Sequence, residues 1–125
     1  PNNIIDVGKT NNQEELSKYY SLADVTLLTS KKETFSMPCA ESLACGTPVV
    51  GFKAGAPEMI SIAQYSEFVE YGNMEELHDC ILSWINYKRD NVKQISKEAN
   101  QIYDKETMID SYISVYNELC SNKEI

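Results

Sequence analysis

Two glutamates, Glu33 and Glu41, are separated by seven residues in the stretch Ser30-Lys31-Lys32-Glu33-Thr34-Phe35-Ser36-Met37-Pro38-Cys39-Ala40-Glu41-Ser42-Leu43-Ala44-Cys45-Gly46-Thr47-Pro48-Val49-Val50. Glu33 falls in a polar loop after an apolar, β-branched run, and Glu41 falls in the helix that the following residues predict. The start of that helix presents free N–H groups from about Phe35 to Cys39, at the positive end of the helix dipole. A helix start of this kind holds phosphate without net positive charge. Carboxylates beside it accept hydrogen bonds from vicinal hydroxyls such as those of ribose or a hexose. The ligand that meets all three features is a phosphate joined to sugars, a nucleotide sugar.

Other reactive side chains carry weaker signals. Lys31 and Lys32 read as a solvated pair before they read as phosphate ligands. His78 is the single histidine, with no nucleophile or carboxylate at a catalytic spacing, and reads as structural or exposed. Cys39, Cys45, Cys80 and Cys120 lack the two-residue spacing of a zinc or redox site. They read as reduced, small apolar residues of a cytosolic protein. Asp24, at the opening of a strand, reads as a turn or capping residue. Trp84 and the eight tyrosines sit mostly at helical core spacing and read as packing residues. No Asp-x-Asp pair or histidine cluster calls for a metal.

The elements that must position these groups alternate between strand and helix. Ile4 to Gly8 reads as a short strand, and Glu14 to Leu22 as a helix with Leu16, Tyr19, Tyr20 and Ala23 on one face. Ala23 to Thr29 reads as a strand buried on both faces. A helix is predicted from Met37 to Cys45, with Pro38 in its first turn and Gly46 as its left-handed stop. Thr47 to Phe52 reads as the next strand, Glu58 to Ala63 as a brief helix, and Glu67 to Tyr71 as an edge strand. Beyond it the period is helical throughout. Asn73 and Glu76 have the spacing of a capping box. Three apolar stripes follow: Met74, Leu77, Ile81, Leu82, Ile85; then Val92, Ile95, Ala99, Ile102; then Met108, Tyr112, Val115, Tyr116, Leu119.

This order implies an α/β fold, a Rossmann-like parallel sheet with flanking helices. Ligands of such sheets bind beyond the carboxyl ends of the strands, which directs attention to Thr29–Phe35 and Phe52–Glu58. The 125 residues suffice for one domain, 42% of them hydrophobic and 24% charged. A net charge of -8 argues against nucleic-acid binding, which needs a clustered basic face. No apolar run is long enough to span a bilayer. The chain begins Pro1-Asn2-Asn3-Ile4, without an initiator Met or a leader pattern, and reads as an excerpt.

The whole phrase resembles the hallmark of the retaining family-4 glycosyltransferases (glycosyl transferases group 1): Phe-Ser-Met-Pro after Glu33, and Glu-Ser-Leu-Ala-Cys-Gly-Thr-Pro-Val-Val around Glu41. Leu16 to Val25 and Gly55-Ala56-Pro57-Glu58-Met59-Ile60 resemble the flanking segments of that family, so the likeness covers roughly residues 4 to 72. Ser36 departs from it, standing where glycine is common, and Gln64 to Phe68 lacks a glycine often found there. The resemblance implies that residues 1–125 form part of the C-terminal nucleotide-sugar-binding domain of a GT-B enzyme, with a strand–helix core over 1–72 and trailing helices over 73–125. It implies that Glu41 binds the ribose of the donor and that Glu33 contacts the transferred sugar and is the catalytic residue. It further implies that backbone amides of Phe35, Ser36 and Met37 face sugar and diphosphate.

The donor implied is a UDP-, GDP- or ADP-sugar, with no cofactor and no metal. The acceptor, a carbohydrate or a lipid-linked one, would bind an N-terminal domain absent here, so this piece alone is expected to be inactive. The implied setting is cytoplasmic polysaccharide biosynthesis, with membrane association of the full-length protein as an option. The alternatives are another GT-B sugar-nucleotide enzyme such as an epimerase, or a non-catalytic binding module. By the strand order of dinucleotide-binding sheets, residues 24–29 would leave an open edge unless residues 4–7 cover it. Self-association through that edge, or a local rearrangement, is the expectation.

Overall fold

Helix α1 (Gln13–Leu22) begins where the side-chain oxygen of Asn12 accepts from the N–H groups of Glu14 and Glu15, at 2.9 and 3.2 Å. In the computed structural model, which describes residues 3–121, it is followed by β1 (Thr26–Leu28), α2 (Met37–Ala44), β2 (Val49–Phe52) and α3 (Pro57–Ile60). A 3₁₀ turn (Ala63–Tyr65) leads into β3 (Ser66–Val69), and α4 (Met74–Trp84), α5 (Lys88–Ile102) and α6 (Lys105–Ser121) complete the chain. Pro1, Asn2 and residues 122–125, which include the start read as an excerpt, lie outside the described residues.

The sheet is parallel, in the order β1-β2-β3, with Leu27 opposite Val50 and Gly51 opposite Phe68. Side chains alternate across β2, so its two faces feed two cores. On one side Leu28 and Val49 meet Cys39 and Leu43 of α2 and Ile95 and Ala99 of α5. On the other, Val50, Phe52 and Val69 meet Leu77 and Cys80 of α4. All four residues of β2 are buried, as a central parallel strand requires. A Cβ on Gly51 would lie 2.3 Å from the Leu28 carbonyl oxygen, so glycine there lets β1 approach. Gly46, at φ +80°, ends α2, and a Cβ on it would lie 2.6 Å from the Val92 carbonyl oxygen. One residue both stops the helix and admits α5 against it.

Several expectations need correction. Ile4 to Gly8 is not a strand: Ile4 and Ile5 are 71% and 86% exposed, and Gly8 N–H turns back to Asp6 Oδ1 at 2.8 Å. A strand needs a ladder partner, and nothing among the described residues supplies one. The strand read over Ala23–Thr29 is confined to Thr26–Leu28 and is not buried on both faces. It is one of the two sheet edges, and α4 covers β2 and β3 while leaving Leu27 45% exposed. In α4 the buried and half-buried face is Leu77, Cys80, Ile81 and Trp84; Met74, Leu82 and Ile85 point outward. In α5, Ile95 and Ala99 are buried as the stripe predicts, but Ile102 is exposed. The third stripe has no cover: Met108, Tyr112, Val115, Tyr116 and Leu119 are all exposed on α6.

Candidate functional site

The loops that leave β1 and β2 at their carboxyl ends are bound to each other, since Glu33 N–H donates to the Ala54 carbonyl at 3.0 Å. The second loop is held by a carboxylate that the sequence reading did not single out. Glu58 accepts from Ala54 N–H at 3.1 Å and from Gly55 N–H at 2.8 Å, closing the turn before α3. Partial burial works against its ionisation, but these backbone donors, with its own N–H and the Lys53 charge, hold its pKa below the ordinary value. Gly55 at φ +98° completes the bend beside the Glu33 carbonyl.

The chain then enters α2 through Ser36, which sits in the left-handed region at φ 70°, ψ 67°. It is the one described residue other than glycine at positive φ. Here the departure from the family pattern has a structural meaning: serine takes the conformation that glycine adopts freely. Its hydroxyl forms no cap bond, is buried and has no partner among the described residues. The backbone N–H groups of Phe35, Ser36 and Met37 donate to no protein acceptor among the described residues. The start of α2 therefore retains free donors at its positive end.

Glu41 lies one turn further along α2, half-buried, and accepts from the Tyr20 hydroxyl at 3.1 Å. Together they border a cavity of about 230 Å³ between α1 and α2, also lined by Gln13, Leu16, Ser17 and Cys45. The side chains of Phe35 and Met37, 49% and 56% exposed, line a different and apolar cavity of about 610 Å³ with Ile60, Ile102, Met108 and Tyr112. Glu33 borders neither. The five predicted residues thus share one helix start and its entry loop, while their side chains do not enter one pocket. What the start of α2 offers is backbone N–H, with Glu33 before it in the chain and Glu41 after it.

The remaining reactive residues take structural places. Lys31 Nζ sits 5.7 Å above the Tyr71 ring, and both lysines of the pair are exposed. His78 is exposed beside Asp79. Trp84 donates to Glu67 and packs edge-on against Tyr87. All four cysteines are free, and burial pushes the Cys39 thiol up to about 12, which removes it as a nucleophile. Among the described residues no three His, Cys, Asp or Glu side chains form a group that could hold a metal. Two further residues gave no signal in the sequence. Tyr20 reads there only as part of an apolar face, and Lys88 is not singled out, because their partners are distant along the chain.

Comparison with known proteins bears on the family and the fold. The chain is 25% identical over 117 residues to N-acetyl-alpha-D-glucosaminyl L-malate synthase of Bacillus anthracis, covering 90% of this chain and 30% of that protein. It is 49% identical over 43 residues to D-inositol 3-phosphate glycosyltransferase of Thermomonospora curvata, covering 34% and 10%. The structure superposes on sucrose-phosphate synthase of Thermosynechococcus elongatus with a TM-score of 0.75 at 23% identity, over 98% of this chain and 31% of the other. That likeness supports the GT-B reading of the fold. The chain therefore spans under a third of the length of these proteins. Residues 1–102 match the family described as Glycosyl transferases group 1, further along the chain than the motif resemblance reaches, and the chain belongs to that family.

Proposed function

We propose that this chain is the donor-binding part of a retaining glycosyltransferase that moves a sugar from a nucleoside diphosphate to a carbohydrate or lipid-linked acceptor. The carrying observation is the start of α2, where three unbonded backbone N–H groups lie in the chain between Glu33 and Glu41. In transfer, the bond from the anomeric carbon to the diphosphate breaks with its electron pair on the diphosphate, the acceptor oxygen bonds to that carbon, and the acceptor's hydroxyl proton passes to the departing diphosphate. Preorganised donors at the departing phosphate are the largest lever such a site has. The α2 start supplies them without a resident metal. Glu41 accepts from the ribose, and Glu33 orients the transferred sugar and faces the positive charge that develops on it.

The relatives' names join sugar transfer to L-malate in one case and D-inositol 3-phosphate in another, which supports a shared donor part and a variable acceptor. The four free cysteines support a cytoplasmic setting. A thermal-shift series with UDP, GDP and ADP, each with and without a chelator, tests the reading. One nucleotide raises Tm in a concentration-dependent way, equally with chelator present. No shift with any of the three contradicts donor binding by this chain.

A further inference from the structure

We propose that Tyr20 is a positioning residue for the donor site, holding the Glu41 carboxylate in the orientation that receives the ribose hydroxyls. The inference rests on the reading of Glu41 as the ribose ligand. A glutamate on a helix has three rotatable bonds, and a ligand must fix them unless the protein does so first. Here the Tyr20 hydroxyl donates to Glu41 Oε2 at 3.1 Å. That bond engages one carboxylate oxygen and leaves Oε1 for the vicinal diol. Burial above all, and then the Glu41 charge, raises the Tyr20 pKa well above its ordinary value, so the phenol remains a donor.

Tyr20 can act as an anchor because its own backbone is held from two directions. Thr47 Oγ1, fully buried, donates to the Tyr20 carbonyl at 2.6 Å. Ser42, fully buried on α2, donates in turn to the Thr47 carbonyl at 2.9 Å. From α5, the buried Lys88 ammonium donates to the Ser21 carbonyl and, at 2.6 Å, to the Ala23 carbonyl, with the Tyr20 carbonyl 3.5 Å away. A cation on the last carbonyls of α1 is well placed against the helix dipole. The end of α1 is thus tied to α2 and α5, and its tyrosine reaches the edge of the cavity that Glu41 borders.

The readout is the affinity ratio between a ribonucleoside diphosphate and its 2′-deoxy counterpart, for whichever of UDP, GDP or ADP the chain binds. A purely structural role would leave this ratio alone, because both ligands meet the same folded protein. Tyr20→Phe keeps the ring and removes the hydroxyl; we expect the ratio to fall about three- to tenfold, through weaker ribonucleotide binding. Glu41→Ala collapses the ratio, and adding Tyr20→Phe to it changes nothing further. If Tyr20→Phe keeps the wild-type ratio while Glu41→Ala collapses it, the positioning role is wrong and the ribose assignment stands. If Glu41→Ala also keeps the ratio, or the wild type binds none of the nucleotides, the underlying reading fails and the inference with it.

Discussion

Ser36 concentrates two unfavourable terms in one side chain. A left-handed backbone costs an ordinary L-residue about 1–2 kcal/mol, and a buried hydroxyl without a partner costs about 1–3 kcal/mol. Glycine removes both, at the cost of a more flexible unfolded chain. Ser36→Gly should therefore raise Tm by at least roughly 3 °C, and Ser36→Ala, which removes the hydroxyl but retains φ 70°, should gain less. A thermal melt in which Ser36→Gly is the least stable of the three would show that serine is favoured here for a reason outside its backbone and burial. A second residue-scale prediction concerns alkaline pH. The Cys39 and Cys80 thiols and the Tyr103 phenol, all raised chiefly by burial, titrate at about 12, 11 and 12 in the fold against ordinary values of 9.0, 9.0 and 10.0. Groups raised in this way add stability that is complete below the ordinary value and is lost as pH climbs through the folded value. Tm should hold up to about pH 9 and fall toward pH 12. Cys39→Val should make that fall shallower, and an unchanged slope would contradict the burial argument.

Among the elements, α5 and α6 look alike in sequence and behave differently in the structure. Both carry apolar stripes, yet Ile95 and Ala99 of α5 are fully buried and no residue of α6 is. Periodicity shows that a helix has an apolar face and is silent on what covers it. Ile95→Ala should cost about 2–5 kcal/mol, whereas Met108→Ser and Tyr116→Ser should stay within about 0.5 kcal/mol of wild type in urea unfolding. Comparable losses at 95 and 116 would mean that α6 is packed in solution. The same blindness explains the stripe chosen in α4, where Cys80 and Trp84 face the sheet and Met74 and Leu82 do not. Turn chemistry, by contrast, was legible. Gly46 stops α2, and Asn73 accepts from Glu76 N–H while its amide donates to the Glu76 carboxylate. The motif around Glu33 and Glu41 was readable because it is contiguous. The Tyr20–Glu41 bond spans 21 residues and the Lys88 bonds 65 or more, so they arise only once helices pack.

At the scale of the whole molecule, the sheet ends on β1 and β3, and of the two it is β1 that carries an exposed apolar side chain. β1 has no strand beyond it among the described residues, Leu27 is 45% exposed, and Ile4, Ile5 and Val7 are exposed in the segment before α1. Unpaired edges with apolar side chains pair with other chains. Sedimentation should show concentration-dependent self-association, weakened by Leu27→Lys; a monomer at every concentration would contradict this. The relatives are at least three times as long as the part matched here, so the 125 residues alone should bind donor without turning it over. Sugar transfer by this chain above a Glu33→Ala control would overturn that expectation. The central claim, that the two glutamates serve different halves of one donor, is tested most directly by calorimetric titration of each alanine variant with the nucleoside diphosphate and with its sugar conjugate. Loss of a charged partner to a ligand hydroxyl costs about 1.5–3 kcal/mol, roughly ten- to hundredfold in affinity. Glu41→Ala should weaken both ligands by that amount, and Glu33→Ala should weaken the sugar conjugate while sparing the bare nucleotide. Equal, small effects of both substitutions on both ligands would contradict the account.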